Sequence, residues 1–232
     1  MAHLGWSHVI GTQNESSLHA SLKEYYRQPG DIVEGRVDGY HIDVVQENRL
    51  VEIQTKNFTS IRKKLSVLLE SYNVHLVYPI VVRRDIVRIA PETGELLGTR
   101  KSPKKEDIYD LFSELIRIPQ LIVHPHLTIE VVFIKEREIR CDDGLGSWRR
   151  RGVSIVDRGL TEVVDQRSFA TPSDYLSLLP LDMPSPFTNK ELAGLARVSR
   201  AKAQKATYTL KKAGLLEEVG KKGNEILYSV CG

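Results

Sequence analysis

The sequence predicts an α/β protein in which a mixed sheet is flanked by helices and followed by a smaller basic module. Residues 40–56 have the composition of two strands joined by a short turn. Residues 75–82 are nearly all apolar, as in a strand that is buried on both faces. Amphipathic helical patterns alternate with these strands. Residues 187–232 hold nine Lys and Arg against four Asp and Glu, which indicates a separate basic module.

The composition is ordinary for a globular protein that works in the cytoplasm. The chain has 232 residues, 41% of them hydrophobic and 27% charged, which suits one or two domains. Its two cysteines exclude a disulfide framework and a cysteine zinc site. The first ten residues lack the pattern of a signal peptide, and no apolar run is long enough to cross a membrane. The net charge of +3 is compatible with nucleic acid but does not indicate it.

The first half of the chain is predicted to alternate helices and strands. The predicted elements are helix 15–27, strands 31–37, 40–46 and 49–56, a helix from Thr59 or Ser60 to 71, and strands 75–82 and 85–90. Pro29 and Gly30 end the first helix, and a Thr or Ser cap begins the second. Pro79 is unusual inside a strand and predicts a sheet edge or a bulge.

The second half has fewer strong signals. The predicted elements are helix 106–118, strand 127–136, short strand pieces within 153–164, and a short helix capped by Thr171 or Ser173. Residues 182–186, with the sequence DMPSP, have the composition of a linker. We therefore expect domain boundaries at 1–140, 141–186 and 187–232.

A short turn sets the pairing of the hairpin at residues 40–56. Glu47 and Asn48 can form a two-residue loop, because Asn tolerates the left-handed conformation. Counting back from this loop places Asp43 opposite Glu52. Residues directly opposite each other lie about 5 Å apart at Cβ, where like charges are destabilising. The two carboxylates therefore need a cation or a shared proton.

One face of the hairpin is predicted to collect several polar groups. Side chains alternate along a strand, so Glu52, Gln54 and Lys56 would share a face with Asp43. A divalent metal prefers carboxylate oxygens, and the neighbouring Gln and Lys could position a water molecule. The pattern therefore favours a metal site.

The hairpin resembles the PD-(D/E)XK nuclease superfamily, whose signature is an Asp followed on the next strand by Glu-x-Lys. The match is Asp43 with Glu52-Ile53-Gln54, where Gln54 stands at the usual Lys. The resemblance covers roughly residues 12–90 and implies an αβββαβ core with a restriction-endonuclease-like mixed sheet. It also implies an endonuclease that hydrolyses DNA with Mg, or with Mn. Asp43, Glu52 and the Ile53 carbonyl would hold the metal.

A second alignment uses the same strand. The endonuclease subunit of a cut-and-paste bacterial transposase carries Gln-x-Lys at this place, and Gln54-Thr55-Lys56 matches it. The resemblance implies that Gln54 or Lys56 orients or activates the attacking water. The helix before the hairpin often contributes one more acid in this superfamily, and Glu15 is the candidate. An acidic first-turn residue favoured by the helix dipole explains Glu15 equally well.

Residues 141–152 combine one Trp with three consecutive arginines, Arg149, Arg150 and Arg151. An aromatic ring beside guanidinium groups suits nucleic-acid backbones and stacked bases. The same composition suits a loop that packs over its own domain through cation–π contacts. The spacing does not distinguish the two, and we retain the three arginines as candidate DNA ligands.

The basic tail resembles a winged helix-turn-helix. Its predicted elements are helix 189–196, a longer helix from the Ser199 cap to 213, and a hairpin formed by 215–219 and 225–230. In that module the second helix enters the major groove and the wing lies near the backbone. The predicted DNA ligands are Arg200, Lys202, Gln204, Lys205, Lys221 and Lys222. A module used for dimerisation or packing is the alternative.

Two functions follow from these expectations. The first is a metal-dependent DNA endonuclease with a C-terminal DNA-binding module. The alternative is a non-catalytic DNA-binding regulator whose nuclease-like domain is degenerate, and Gln54 in place of Lys favours it. An enzyme that acts on RNA is a third possibility, although no stacking motif is evident. DNA is the expected partner, a homodimer is compatible with the sequence, and no membrane contact is expected.

Overall fold

The computed structural model describes residues 16–231, and the prediction for Glu15 lies outside them. The helices are α1 Ser17–Tyr26, α2 Phe58–Leu68, α3 Phe112–Leu115, α4 Pro172–Leu176, α5 Asn189–Leu195 and α6 Arg200–Lys212, with 3-10 turns at Ile108–Leu111 and Trp148–Arg150. The strands are β1 Ile32–Val37, β2 Tyr40–Val45, β3 Leu50–Ile53, β4 Val74–Ile89, β5 Leu96–Lys101, β6 Leu127–Cys141, β7 Ser154–Phe169, β8 Phe187–Thr188, β9 Leu216–Lys222 and β10 Glu225–Val230. No helix within these residues is long and apolar enough to span a membrane.

The large sheet is mixed, as the sequence predicts. Its strand order is β1-β2-β3-β4-β6-β7, and β5 pairs with the outer half of β4. The hairpins make β1, β2 and β3 antiparallel, whereas the crossover through α2 makes β3 and β4 parallel. Strand β6 is parallel to β4, and β7 returns antiparallel to β6.

Helices cover both faces of this sheet and form two apolar clusters. On one face, Phe58 and Leu65 of α2 pack with Leu50 and Leu76. On the other face, Leu22 of α1 packs with alternate residues of the same strands, including Val51, Ile53 and Val77. Side chains of successive strand residues point to opposite faces, so the apolar runs of β3 and β4 serve both clusters.

Pro79 lies inside β4, and its place in the sheet explains why it is tolerated there. Strand β4 is central in the sheet as a whole, but the side of it that faces β3 is unpaired at Pro79. The last hydrogen bond between β3 and β4 runs from the main-chain N–H of Gln54 to the carbonyl of Val77. Two residues further on, Pro79 turns the side that lacks an N–H toward this local edge, and the pairing of β4 with β6 is irregular between Val81 and Arg83.

The outer halves of β4, β6 and β7 continue well beyond the end of β3. Each of these strands has 15 or 16 residues, so β6 continues past its predicted end and the pieces expected in 153–164 form one strand. With β5 they make an arm, which we define as residues 84–101 and 136–158. The 3-10 turn Trp148–Arg150 lies in the loop at its far end.

The C-terminal tail packs against the first part of the chain. Its elements include two helices and a three-stranded sheet with the order β8-β10-β9. The predicted capping box at Thr188 and the Ser199 cap are both present. Buried residues of the tail, including Phe187 and Leu210, belong to the same apolar cluster as helix α2.

The structure shortens two predicted elements. Strand β3 ends at Ile53 rather than at Lys56, and the chain then bends toward α2, with Asn57 in a left-handed conformation of φ 62° directly before the helix. The helix expected at 106–118 divides into a 3-10 turn and the short α3. Asp107 caps that 3-10 turn.

Candidate functional site: the fork between β2 and β3

Strands β2 and β3 separate at Asp43. Their main-chain pairing covers Val44 with Val51 and Val45 with Leu50. Beyond these pairs the carboxylate of Asp43 takes over from the main chain, and its Oδ2 accepts a hydrogen bond from the N–H of Ile53 at 2.8 Å. We call this place the fork. It leaves the Ile53 carbonyl free of a partner strand.

His19 of α1 reaches into the fork. Its Nε2 lies 2.9 Å from the carbonyl oxygen of Ile53 and 3.4 Å from Oδ2 of Asp43. The buried neighbours Leu18 and Leu22 fix α1 on the sheet and so hold His19 in place. Nε2 of His19 therefore contacts two of the predicted metal ligands, the carbonyl oxygen of Ile53 and Oδ2 of Asp43.

The environment of Asp43 favours its charged form. Burial by itself raises the pKa of a carboxyl group. The hydrogen bond and the charge of His19, followed by the N–H of Ile53, outweigh burial and hold the pKa of Asp43 below its ordinary value. Asp43 is thus an ionised carboxylate at neutral pH.

Glu52 lies in a different environment, with its side chain against α2. It is 5% exposed, and the Nζ of Lys64 contacts its Oε1. Among the described residues this Oε1 accepts no hydrogen bond of regular geometry. Burial raises the pKa of Glu52 to about 7, with a further contribution from the charge of Asp43, while Lys64 acts in the opposite direction. Near neutral pH, both the charged and the protonated form of Glu52 are therefore populated.

The prediction of a regular hairpin through Asp43 and Glu52 is wrong, although the two carboxylates are neighbours. Side chains no longer alternate regularly at Asp43, since Ile42 packs in the α2 cluster and Val44 in the α1 cluster. Asp43 contacts His19 of α1, whereas Glu52 contacts Lys64 of α2. The carboxylates still lie close to each other, because their charges interact and the main-chain N–H of Asp43 contacts the carboxylate of Glu52.

Gln54 and Lys56 do not extend this site along the strand. Both follow the end of β3, although the main-chain N–H of Gln54 still pairs with Val77 of β4 and its side chain lies on the α2 side, as that of Glu52 does. The amide of Gln54 donates to the carbonyl of Lys56 and lies 3.4 Å from Oγ of Ser60. Gln54 therefore stabilises the turn before α2, and Lys56 is exposed to solvent.

His19 and Lys64 are the site residues that sequence reasoning missed. Lys64 belongs to a basic run near the start of α2, where a solvated surface is the ordinary meaning of such charges. Its position next to Leu65 and one turn after Ile61, both on the apolar stripe, was the available signal. His19 follows Leu18 in the same way, but nothing in a single sequence indicates its contact with Ile53.

A family model described as Domain of unknown function (DUF8091) matches residues 16–170, about two thirds of the chain. The chain belongs to this family. An uncharacterized protein of Treponema pallidum (strain Nichols) is 32% identical over 221 residues, which cover 95% of this chain and 87% of that protein. No solved structure gives a significant match. The fork, α1, α2 and the arm all lie inside the DUF8091 region.

The metal ligands that the sequence predicts are only partly assembled. Asp43 and the carbonyl of Ile53 meet at the fork. Within residues 16–231 there is no cluster of three or more His, Cys, Asp or Glu side chains that could hold a metal ion. Two carboxylates and one carbonyl, with water in the other positions, would be the available set.

The predicted DNA ligands have very different surroundings. Arg149, Arg150 and Arg151 are exposed at the end of the arm, and Gln204 and Lys221 are exposed in the tail. The other tail residues bind partners within the chain. They are Arg200 with Glu225, Lys202 with Asp107 and Asp110, Lys205 with Ser113, and Lys222 with Glu191.

Lys202 and Lys205 hold α6 against the first part of the chain. The Nζ of Lys202 lies 2.6 Å from Asp107 and 2.7 Å from Asp110. Burial lowers the pKa of Lys202, but these two carboxylates raise it by more, so it stays charged. The expectation that both lysines present free charges to a phosphate backbone is therefore wrong in this conformation.

Proposed function

We propose that this DUF8091 protein is a metal-dependent DNA endonuclease. The observation that carries the proposal is the fork, where the ionised Asp43, the carbonyl of Ile53, which no strand pairs, and the buried Glu52 lie close together at the ends of β2 and β3. Burial and mutual repulsion perturb the pKa of Glu52, and such perturbation is typical of functional carboxylates.

The order of elements supports the proposal. The chain runs α1, β1, β2, β3, α2, β4 through the residues around the fork, and this is the αβββαβ order of the PD-(D/E)XK resemblance. The fork falls at the place in that order where the superfamily carries its Asp and its Glu-x-Lys. This agreement supports the proposed fold, and the cleavage assay below tests the proposed reaction.

The residues at the fork fit a hard divalent cation. Mg and Mn prefer oxygen ligands, which Asp43, Glu52 and the Ile53 carbonyl would supply. Glu52 Oε1, which is buried and accepts no regular hydrogen bond among the described residues, is a suitable acceptor for such a charge. When bound, the metal would polarise a phosphodiester oxygen and assist an attacking water.

The chain's own side chains have two further roles in this proposal. His19 contacts both Asp43 and Ile53, so it orders the fork before any ligand arrives and must withdraw to expose the two oxygen atoms. Lys64 supplies an ammonium beside Glu52, which offers the positive charge that Gln54 lacks. Lys64 is thus a better candidate than Lys56 to orient the attacking water.

The finer identity of the tail belongs to the same proposal. We propose that residues 187–231 form a winged helix-turn-helix that binds DNA. The helices α5 and α6 and the hairpin of β9 and β10 have the order of that module. Because Lys202 and Lys205 face the first part of the chain, the exposed Gln204 and Lys221 are the better candidates for contact with DNA.

Incubation of the purified protein with plasmid and branched DNA tests the proposal. Nicking or linearisation is expected with Mg or Mn and is expected to stop in EDTA. Asp43→Asn should remove cleavage, and Arg83→Gln, which breaks an exposed ion pair on the rim of the arm, is the matched control. Absence of metal-dependent cleavage on every DNA form would refute the proposal.

A non-catalytic regulator is the second candidate, and a specific observation favours it. Each carboxylate of the site already has a basic partner, His19 for Asp43 and Lys64 for Glu52. The site therefore does not require a metal for its charge balance, contrary to the expectation from two unpartnered carboxylates. DNA binding that is unchanged by Asp43→Asn, together with an absence of cleavage, would establish this function instead.

A further inference from the structure

The loop at the end of the arm presents an aromatic side chain to solvent. Trp148 is 83% exposed, and Leu145 beside it in the loop is 86% exposed. Exposed apolar surface that is bordered by polar residues is typical of an interaction site. Arg149, Arg150 and Arg151 follow directly, all of them exposed.

This loop is built to hold one shape. The amide of Gly146 donates to the carbonyl of Gly152 at 2.8 Å, and Nε of Arg150 donates to the carbonyl of Val153 at 3.1 Å. Asp143 accepts from the N–H of Leu145 and from the hydroxyl of Ser154, which ties both ends of the loop together. Gly146 has no space for a side chain, because an added Cβ would lie 1.9 Å from the Val153 carbonyl oxygen.

The same loop orients the ring of Trp148. The guanidinium of Arg149 lies over the ring, 5.5 Å from its centroid, which is within the range of a cation–π contact. One face of the indole is thus held by Arg149, and the other face is open. An indole with one open face and three adjacent guanidinium groups is suited to a flat ligand that carries negative charge on a flexible backbone.

From these observations we infer that the Trp148 loop binds single-stranded nucleic acid by stacking an unpaired base on the open face of the indole. The three arginines would neutralise the neighbouring phosphates. A base inside a duplex has both faces covered, so the ligand class is DNA with a single-stranded segment, such as a fork, a flap or a gap. This substrate class rests on the proposed endonuclease function, although the binding itself does not.

The length of β6 gives a minimum distance between this contact and the β2–β3 fork. Ile53 is level with Val77 and Glu130 in the sheet, and Cys141 ends β6 eleven residues later. At about 3.3 Å per residue, the end of β6 is roughly 35 Å from the level of Ile53, and the Trp148 loop lies beyond that end. A duplex of roughly ten base pairs spans this distance at about 3.4 Å per base pair. The stacked base and the cleaved bond are therefore expected on opposite ends of a duplex segment of at least this length.

Binding in EDTA tests the stacking contact without cleavage. One oligonucleotide sequence is prepared in single-stranded, duplex and forked form, and affinity is measured by fluorescence anisotropy. Trp148→Ala should weaken binding to the single-stranded and forked forms by about tenfold or more, as is usual for loss of one base–aromatic stack, and should leave duplex binding nearly unchanged. Trp148→Phe should restore much of the loss, and Leu145→Ala, which removes an equally exposed apolar side chain, should have little effect.

Tryptophan fluorescence gives a second readout that does not depend on affinity alone. In a Trp6→Phe background Trp148 is the single tryptophan of the chain. Single-stranded DNA should quench it strongly by stacking, whereas inorganic polyphosphate, which has charge but no bases, should not. Equal quenching by both would overturn the inference.

Three other outcomes of these binding and cleavage experiments test whether Trp148 stacks on a base. Equal affinity of wild type and Trp148→Ala for all three DNA forms would overturn the stacking contact, even if metal-dependent cleavage is observed. Trp148-dependent binding to vesicles that contain anionic lipid, without binding to single-stranded DNA, would overturn it in favour of a membrane surface. Trp148-dependent DNA binding without any cleavage would support the inference and refute the endonuclease proposal.

Discussion

Replacement of Glu52 by Gln should remove a pH dependence of stability that the structure assigns to this carboxyl group. Burial raises the pKa of Glu52 from 4.5 to about 7 in the folded protein. Between these values the folded protein keeps a proton at Glu52 that the unfolded chain has released. The free energy of unfolding contributed by this group is therefore present below about pH 4.5 and is lost as the pH rises through about 7.

The size of the effect follows from the same two pKa values. A difference between 4.5 and about 7, at about 1.4 kcal/mol per pH unit, corresponds to roughly 3 kcal/mol. Gln has the shape of the protonated acid and does not titrate. Relative to wild type, Glu52→Gln should thus change stability little near pH 5 and should stabilise the protein by roughly 2–3 kcal/mol near pH 8.

Urea unfolding at several pH values measures this difference directly. Glu130→Gln is the matched control. The pKa of Glu130 is held below its ordinary value, against the effect of burial, by hydrogen bonds from His75 and Tyr26. That variant should lose stability at both pH values, without the trend expected for Glu52. A difference between wild type and Glu52→Gln that stays constant from about pH 5 to about pH 8 would refute the assignment.

Three further predictions concern activity and the docked tail. Under the endonuclease proposal, cleavage at fixed Mg should rise with pH through about 7, because Glu52 must lose its proton to bind a cation, and a flat rate profile would contradict this. Lys64→Met should reduce the cleavage rate much more than Lys56→Ala, since Lys64 contacts Glu52 and Lys56 is exposed. Equal cleavage rates of these two variants in a plasmid assay would exclude a role for Lys64. Lys202→Met should lower the free energy of unfolding, measured in urea, by about 1–3 kcal/mol, because it leaves Asp107 and Asp110 without their shared cation. The control Lys221→Met, at an exposed position, should change it by less than about 0.5 kcal/mol.

The sequence was sufficient for the elements whose signals are local. The two-residue turn at Glu47 and Asn48, the Thr188 capping box and the Ser199 cap depend on neighbouring residues, and the structure confirms each of them. The parallel pairing around β4 also follows from a short crossover helix between apolar strands.

The sequence was insufficient where distant segments decide the conformation. The arrangement around Asp43 brings in His19, which lies on another element and contacts Ile53 across the fork. The left-handed conformation of Asn57, between β3 and α2, is a further feature that strand propensity does not predict. The docking of α6 depends on Asp107 and Asp110, more than ninety positions earlier in the chain.

The shared core of the tail has a consequence for how the chain responds to a protease. Leu181 is fully exposed in the segment before the tail, so residues 180–186 are an accessible place for cleavage. The fragments on either side would still be joined through Phe187 and Leu210 in the common apolar cluster and through Lys202. A chain nicked there should migrate as two bands in denaturing gels and as one particle in size-exclusion chromatography.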